Sequence, residues 1–325
     1  GRHCVVEGDE YDSAFFDKSP KFLHYLPYVA AVGNLEYDHA DIYPNLEAIK
    51  LQFRRFVNLI PPKGYLAVGA DSPAAVEVAQ SCYGRTETFG MGPEHDWSAG
   101  NVQMRDGRCC FDIRHQGRLF RSVRLGIYGR HNILNALAST AVLNHLGVPA
   151  DALVRGLESF SGVRRRLQLR AAIGTVRVYE DFAHHPTAVR ETLRTVRETF
   201  RPKRLWAIYE PRSATSRRNI FQDAIARALG EADCIAVPAL YRPEKVPDGD
   251  RLDIARLVED LQGMGRIAWH LPTVEDIIET VREEIQPEDL IVIMSNGGFG
   301  DIYTKLPAAI QRHYAAPAGL PRGNA

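Results

Sequence analysis

The second half of the chain constrains the fold most, because its apolar residues fall in a regular rhythm. Short apolar runs at Val176–Tyr179, Leu205–Tyr209, Cys234–Val237, Ile267–Trp269 and Leu290–Met294 alternate with segments of helical period near Thr187–Phe200, Ile220–Leu229, Asp253–Gln262 and Val274–Ile285. Runs this short and this apolar read as strands buried on both faces, and strands separated by helices pair in parallel. The pattern predicts a doubly wound α/β sheet with helices on both sides. Such sheets bind ligands beyond the carboxyl ends of their strands, so the loops that follow each run are where chemistry belongs.

The first half mixes element types. Arg2–Glu7 and Val29–Gly33 read as short buried strands, each running into an acidic segment. Leu46–Leu59 carries Leu46, Ile49, Phe53, Phe56 and Val57 at helical spacing and is stopped by Pro61-Pro62. A strand at Tyr65–Val68 and a helix near Ala74–Ser81 follow. From about Glu87 to Leu125, short strands with turn signals at Asp106-Gly107 and Gln116-Gly117 predict an antiparallel insert. Asn132–Leu146 reads as a helix closed by Gly147. The boundary between the halves falls near residues 164–172, and Ala315–Ala325, rich in Ala, Pro and Gly, reads as a disordered tail.

A length of 325 residues accommodates two domains. Forty Lys and Arg balance forty Asp and Glu, so overall charge gives no argument for a nucleic-acid or anionic-membrane partner. No apolar run approaches the roughly 18 residues of a membrane span, and no signal-peptide pattern opens the chain. Cys4, Cys82, Cys109, Cys110 and Cys234 are odd in number, scattered and without a C-x-x-C pair. That pattern points to reduced cytoplasmic thiols rather than a disulfide framework or a zinc site.

Seven runs at predicted strand or helix ends carry the chemistry. Glu7-Gly8-Asp9-Glu10-Tyr11-Asp12 crowds carboxylates as a hard cation such as Mg²⁺ requires, a solvated acidic loop being the alternative. Asn34-Leu35-Glu36-Tyr37-Asp38-His39-Ala40-Asp41 sets an imidazole among carboxylates, able to ligate a metal or act as a base. Gly129-Arg130-His131-Asn132-Ile133-Leu134-Asn135 opens a helix with side-chain amides that donate and accept together, as reading adenine requires. Helix capping is the plainer explanation of those amides.

Arg164-Arg165-Arg166 offers guanidinium forks suited to phosphate, or simply a solvated basic linker. Tyr179-Glu180-Asp181-Phe182-Ala183-His184-His185-Pro186-Thr187 joins a strand end to a helix start. Its paired histidines are a weak zinc signal without further spaced ligands. Tyr209-Glu210-Pro211-Arg212-Ser213 places an arginine where a carboxylate-bearing substrate can dock. Met294-Ser295-Asn296-Gly297-Gly298-Phe299-Gly300 has glycines that let backbone approach a ligand.

In this order, over residues 1 to about 306, the runs resemble the Mur ligase family of ATP-dependent amide ligases. Asp9-Glu10-Tyr11-Asp12-x-Ala14-Phe15-Phe16-Asp17-Lys18, the Glu-Pro-Arg-Ser run and the Ser-Asn-Gly-Gly-Phe-Gly run are closest to its murein peptide ligase branch. The resemblance implies a partial central ATPase domain over residues 1–166, a mixed sheet with an antiparallel insert. A Rossmann-like C-terminal domain over residues 167–314 would follow. It implies Mg²⁺ on Glu7 and His39, and an adenine pocket lined by His131, Asn132 and Asn135. Arg166 would reach the ATP phosphates, Asp181 the ribose and Phe182 the adenine, with His184 facing the reaction centre. Arg212, Ser213, Asn296 and Gly297 would meet the peptide, and His39, Arg166 and His184 would be the catalytic set.

The implied reaction joins UDP-N-acetylmuramate to L-alanyl-γ-D-glutamyl-meso-diaminopimelate through an acyl phosphate, in cytoplasmic peptidoglycan recycling, with no nucleic-acid or membrane partner. Two alternatives stay open: the sibling ligase that adds L-alanine to the same sugar nucleotide, and a non-catalytic nucleotide-binding fragment. The family's Gly-Lys-Thr or Gly-Lys-Ser phosphate loop is missing, since none of the seven lysines follows a glycine. That loop and the sugar-nucleotide domain are expected upstream of Gly1, so the chain alone is expected not to complete catalysis.

Overall fold

In the computed structural model of the chain, residues 3–315 are described. The chain divides between Gly162 and Val163 into two compact units, each built on a six-stranded sheet.

The first sheet is laid down in sequence order. β1 (Val29–Val32), β2 (Tyr65–Gly69), β3 (Arg85–Gly90) and β4 (Trp97–Arg105) run parallel, and β4 continues antiparallel into β5 (Arg108–His115) and β6 (Arg118–Leu125). β2 shows why both faces must be covered. Leu66 and Val68 enter the core beneath α1 (Leu46–Asn58) and α2 (Pro73–Ala79), whereas Tyr65 and Ala67 enter the one beneath α3 (Arg130–His145) and α4 (Ala150–Ser159). Local signals set the boundaries: Asn45 caps α1 through Ala48 N, and Ser72 caps α2 through Ala75 N ahead of Pro73. Both hairpin turns place two residues at positive φ, Asp106-Gly107 and Gln116-Gly117. That is the backbone whose twist matches a tight hairpin, and it favours glycine at the second position.

The strand expected at Arg2–Glu7 is not formed. Arg2 lies outside the described residues, residues 3–7 have no strand assignment, and Val5 is 95% exposed. Among the described residues β1 has a neighbour only in β2. An apolar run that finds no ladder partner leaves its backbone groups to water and stays irregular.

The second unit is doubly wound. Its strands are β7 (Gln168–Ile173), β8 (Val176–Asp181), β9 (Arg204–Tyr209), β10 (Cys234–Val237), β11 (Ile267–His270) and β12 (Asp289–Met294), in the spatial order β11-β10-β9-β12-β8-β7. All pairs are parallel except β7 with β8. α5 (Pro186–Phe200), α6 (Gln222–Leu229) and α7 (Ile254–Gly263) bury one face of the sheet, and α8 (Val274–Glu284) and α9 (Ile302–Ala315) bury the other. β12 inserts between β8 and β9, and Met294 pairs with both Asp181 and Tyr209. Three neighbouring strands therefore end level, and the loops that leave them emerge side by side. The tail expected at Ala315–Ala325 falls, beyond Ala315, outside the described residues. Among the described residues no helix is long and apolar enough to cross a membrane.

Candidate functional site

In the first unit the acidic and Asp-His segments meet at one point. His39 Nε2 lies 2.6 Å from Glu10 Oε1, and the Tyr11 ring packs on the imidazole with centroids 4.3 Å apart. The Tyr43 hydroxyl donates to Glu10 O at 2.6 Å. His39 sits at φ 54° with its N–H bonded to Asp38 Oδ1 at 2.7 Å, a left-handed conformation that costs a β-carbon-bearing residue energy unless its surroundings hold it. Burial lowers the His39 pKa, but the bond to Glu10 and the charges of Asp38, Glu10 and Asp41 outweigh it and hold the group above its ordinary value. Burial and the same carboxylates push Tyr11 up to about 12.

The donors are hard oxygens around one imidazole, chemically fitting for Mg²⁺. Glu10, part of the acidic run but not assigned to the metal, is the carboxylate bonded to the His39 ring; Glu7 lies on the exposed stretch three residues earlier. Among the described residues no group of three or more His, Cys, Asp or Glu side chains is arranged to hold a metal ion.

At the start of α3 the helix cap is Gly129, at φ 98° and without a side-chain cap, so neither asparagine acts as one. Asn132 Nδ2 instead donates to Tyr128 O at 2.6 Å and lies 3.1 Å from His131 Nε2, while Asn135 Nδ2 reaches Asn132 Oδ1 at 3.5 Å. His131 and Asn135 are exposed. The three polar side chains form a linked row over the first two turns of α3.

In the second unit the loops after β8, β9 and β12 meet as the sheet register requires. Asp181 is buried, and its carboxylate accepts from Leu167 N at 2.7 Å and Ala183 N at 2.8 Å. A ribose hydroxyl would have to share what acceptor capacity remains. His184 Nδ1 lies 3.0 Å from Phe182 O, and the Tyr209 hydroxyl donates to His184 O at 3.0 Å. His185 has a structural role, capping α5 by accepting from Thr187 N at 3.3 Å ahead of Pro186.

The arginine run divides by position. Arg164 is exposed; Arg166 is exposed with its guanidinium 5.3 Å from the Phe182 ring centroid. Arg165, to which the sequence assigned no role, is partly buried at φ 61°. Its Nε donates to Glu180 at 2.7 Å, and its Nη2 donates to Ser295 O at 2.9 Å and Gly297 O at 2.8 Å. It also lies 4.9 Å from the Phe182 ring centroid. One side chain thus ties the end of β8 to the loop after β12.

That loop is held from its other side as well. Ser295 Oγ donates to Glu210 Oε2 at 2.5 Å and accepts from Gly297 N at 2.9 Å. Arg212 Nη1 reaches Glu210 Oε1 at 3.4 Å. Asn296 Oδ1 is buried without a hydrogen-bond partner among the described residues. Ser213 Oγ is engaged in its own turn, bonded to Ser216 Oγ at 2.9 Å and to Ser216 N at 3.0 Å.

Comparison with known proteins agrees with this layout. Residues 2–143 match the Mur ligase middle domain, and residues 165–297 match the domain described as Mur ligase, glutamate ligase domain. Two curated relatives are named UDP-N-acetylmuramate--L-alanyl-gamma-D-glutamyl-meso-2,6-diaminoheptandioate ligase. The Haemophilus influenzae protein is 34% identical over 306 residues, 94% of this chain and 64% of its own length. The Escherichia coli K12 protein is 37% identical over 305 residues, 93% of this chain and 64% of its own. The crystal structure of a murein peptide ligase from Psychrobacter arcticus 273-4 superposes with a TM-score of 0.66 at 31% identity, covering 94% of this chain and 62% of that one. The chain spans about 64% of the length of the curated relatives it matches. With both of its units matched in order, the chain belongs to the Mur ligase family and carries its middle and glutamate ligase domains.

Proposed function

We propose that the intact protein joins UDP-N-acetylmuramate to the tripeptide L-alanyl-γ-D-glutamyl-meso-diaminopimelate, driven by ATP, in cytoplasmic recycling of cell-wall peptides. One observation carries the reading. Arg212, Asn296 and His184 stand on loops leaving three level, adjacent strands, in a chain 34% and 37% identical to two ligases named for that reaction.

The chemistry asks particular things of these residues. A carboxylate is a poor electrophile, so the sugar's carboxylate takes the terminal phosphoryl group of ATP to become an acyl phosphate. The tripeptide amine then attacks, and the tetrahedral intermediate expels phosphate. Mg²⁺ on Glu7 and His39, with Glu10 against the imidazole, would supply positive charge to the phosphoryl oxygens. His131, Asn132 and Asn135 would offer adenine polar edges. Arg166, exposed beside Phe182, meets phosphate charge, and Asp181 lies on the ribose side. His184, its ring set by Phe182 O, faces the reacting groups. Arg212 takes a peptide carboxylate, and the Ser213, Asn296 and Gly297 backbone frames it.

Presenting the intact protein with ATP, UDP-N-acetylmuramate and either tripeptide or L-alanine tests the reading. ADP release and a ligated product should depend on the tripeptide. A product formed with L-alanine but not with tripeptide would place the protein in the sibling activity instead.

A further inference from the structure

Arg212 is held far more closely than a surface arginine needs to be. Its guanidinium carbon lies 3.7 Å from the centroid of the Tyr241 ring, a stacking contact, and its Nη1 is 3.4 Å from Glu210. On its remaining side it crosses the backbone of Gly297, where a β-carbon would overlap its Cδ, Nε and Cζ atoms. Gly297 itself does not yield, because its N–H is bonded to Ser295 Oγ and its carbonyl to Arg165. Gly297 is not at a positive φ, so the backbone alone does not call for glycine there. What calls for it is the guanidinium in the space of the missing side chain.

Tyr241 is fixed in turn. Arg217 is buried, and its guanidinium donates to Ser213 O at 3.2 Å, Tyr241 O at 3.2 Å and Arg242 O at 3.0 Å. It ties the loop after β10 to the loop that carries Arg212. A second guanidinium, Arg242, lies 5.2 Å from the same Tyr241 ring. Glu210 is the only carboxylate bonded to Arg212 among the described residues.

We propose that Tyr241 and Gly297 are positioning residues of the peptide site, which fix the Arg212 guanidinium so that its planar fork meets a carboxylate of the amine substrate. An arginine on a flexible stem loses rotamer freedom when it binds; one already stacked and slotted has lost it beforehand. The inference rests on the reading that the protein ligates a carboxylate-bearing peptide, and adds the two residues that make Arg212 selective for it.

The test is steady-state kinetics of the intact protein with the tripeptide as the varied substrate. Tyr241→Ala should raise the tripeptide KM about tenfold, the scale of a lost guanidinium–aromatic stack, with kcat changed less than about twofold and the KM for ATP unchanged. Tyr241→Phe, which keeps the ring and loses only the hydroxyl, should restore the parental KM. Gly297→Ala should raise the same KM by displacing Arg212. A tripeptide KM unaltered in Tyr241→Ala, or raised equally in Tyr241→Phe, overturns the inference while leaving the ligase reading intact. A parent protein that ligates no tripeptide overturns that reading and this inference together.

Discussion

Arg165 shows how far a single side chain can escape a sequence reading. In the run Arg164-Arg165-Arg166 nothing distinguishes the middle residue, yet it makes the hydrogen bonds that join Glu180 to Ser295 and Gly297. Its carbonyl partners lie 130 and 132 residues away, a distance no local pattern spans. Arg165→Ala would leave the buried Glu180 carboxylate with Arg170 at 3.5 Å and two carbonyls without their donor. The expected loss is about 2 kcal/mol, between the values for exposed and fully buried pairs, because Arg165 is itself partly exposed. Arg165→Lys should not recover it, since an ammonium lacks the fork that serves both partners. Urea denaturation midpoints check both variants, and a midpoint unchanged in Arg165→Ala would show the bonds to be incidental. Residues with local roles were easier to read: the helix start at Pro186 and the glycines of both hairpin turns follow from neighbours in sequence. Glu10 was harder, since its preference over Glu7 for His39 depends on a contact 29 residues distant.

Elements were legible where period and burial agreed. β8 to β12 fall within one or two residues of their apolar runs, four of them buried along nearly their whole length, whereas β7, half-exposed at the sheet edge, was not anticipated; α5 to α8 follow their apolar stripes. Arg2–Glu7 failed because apolar composition specifies a strand only when a partner edge is present. α9 was passed over although Ile302, Leu306 and Ile310 repeat at helical spacing, with Pro307 in the interior arguing against a helix. The first sheet hides a different feature, a carboxylate inside it. Glu87 on β3 accepts from the Tyr65 hydroxyl at 2.7 Å and Trp97 Nε1 at 2.7 Å, and pairs with Arg85. Burial raises the Glu87 pKa, but these three donors outweigh it and hold the carboxyl below its ordinary value of 4.5. A depressed carboxyl contributes stability that is complete above its unfolded value and is lost as pH falls through its folded one. The melting temperature of the first unit's transition should therefore fall as pH drops below 4.5, and Glu87→Gln should flatten that part of the profile. Parallel profiles for parent and variant would remove Glu87 from the acid response.

At the scale of the whole molecule, family and fold class were readable because three motifs of the second unit sit at strand ends, where a doubly wound sheet must present them. The topology supplies what sequence order conceals: β12, last in the chain, lies between β8 and β9 and brings Asn296 beside Arg212. The slot around Arg212 was illegible for the same reason, since Tyr241, Gly297 and Glu210 belong to three different loops. On the proposed function these loops form the peptide side of a ligase site. Amide hydrogen exchange of the chain with and without L-alanyl-γ-D-glutamyl-meso-diaminopimelate tests it most directly. Exchange should slow in residues 210–217, 239–243 and 295–298. Unchanged exchange in those loops at saturating tripeptide, or protection confined to residues 3–162, would contradict it.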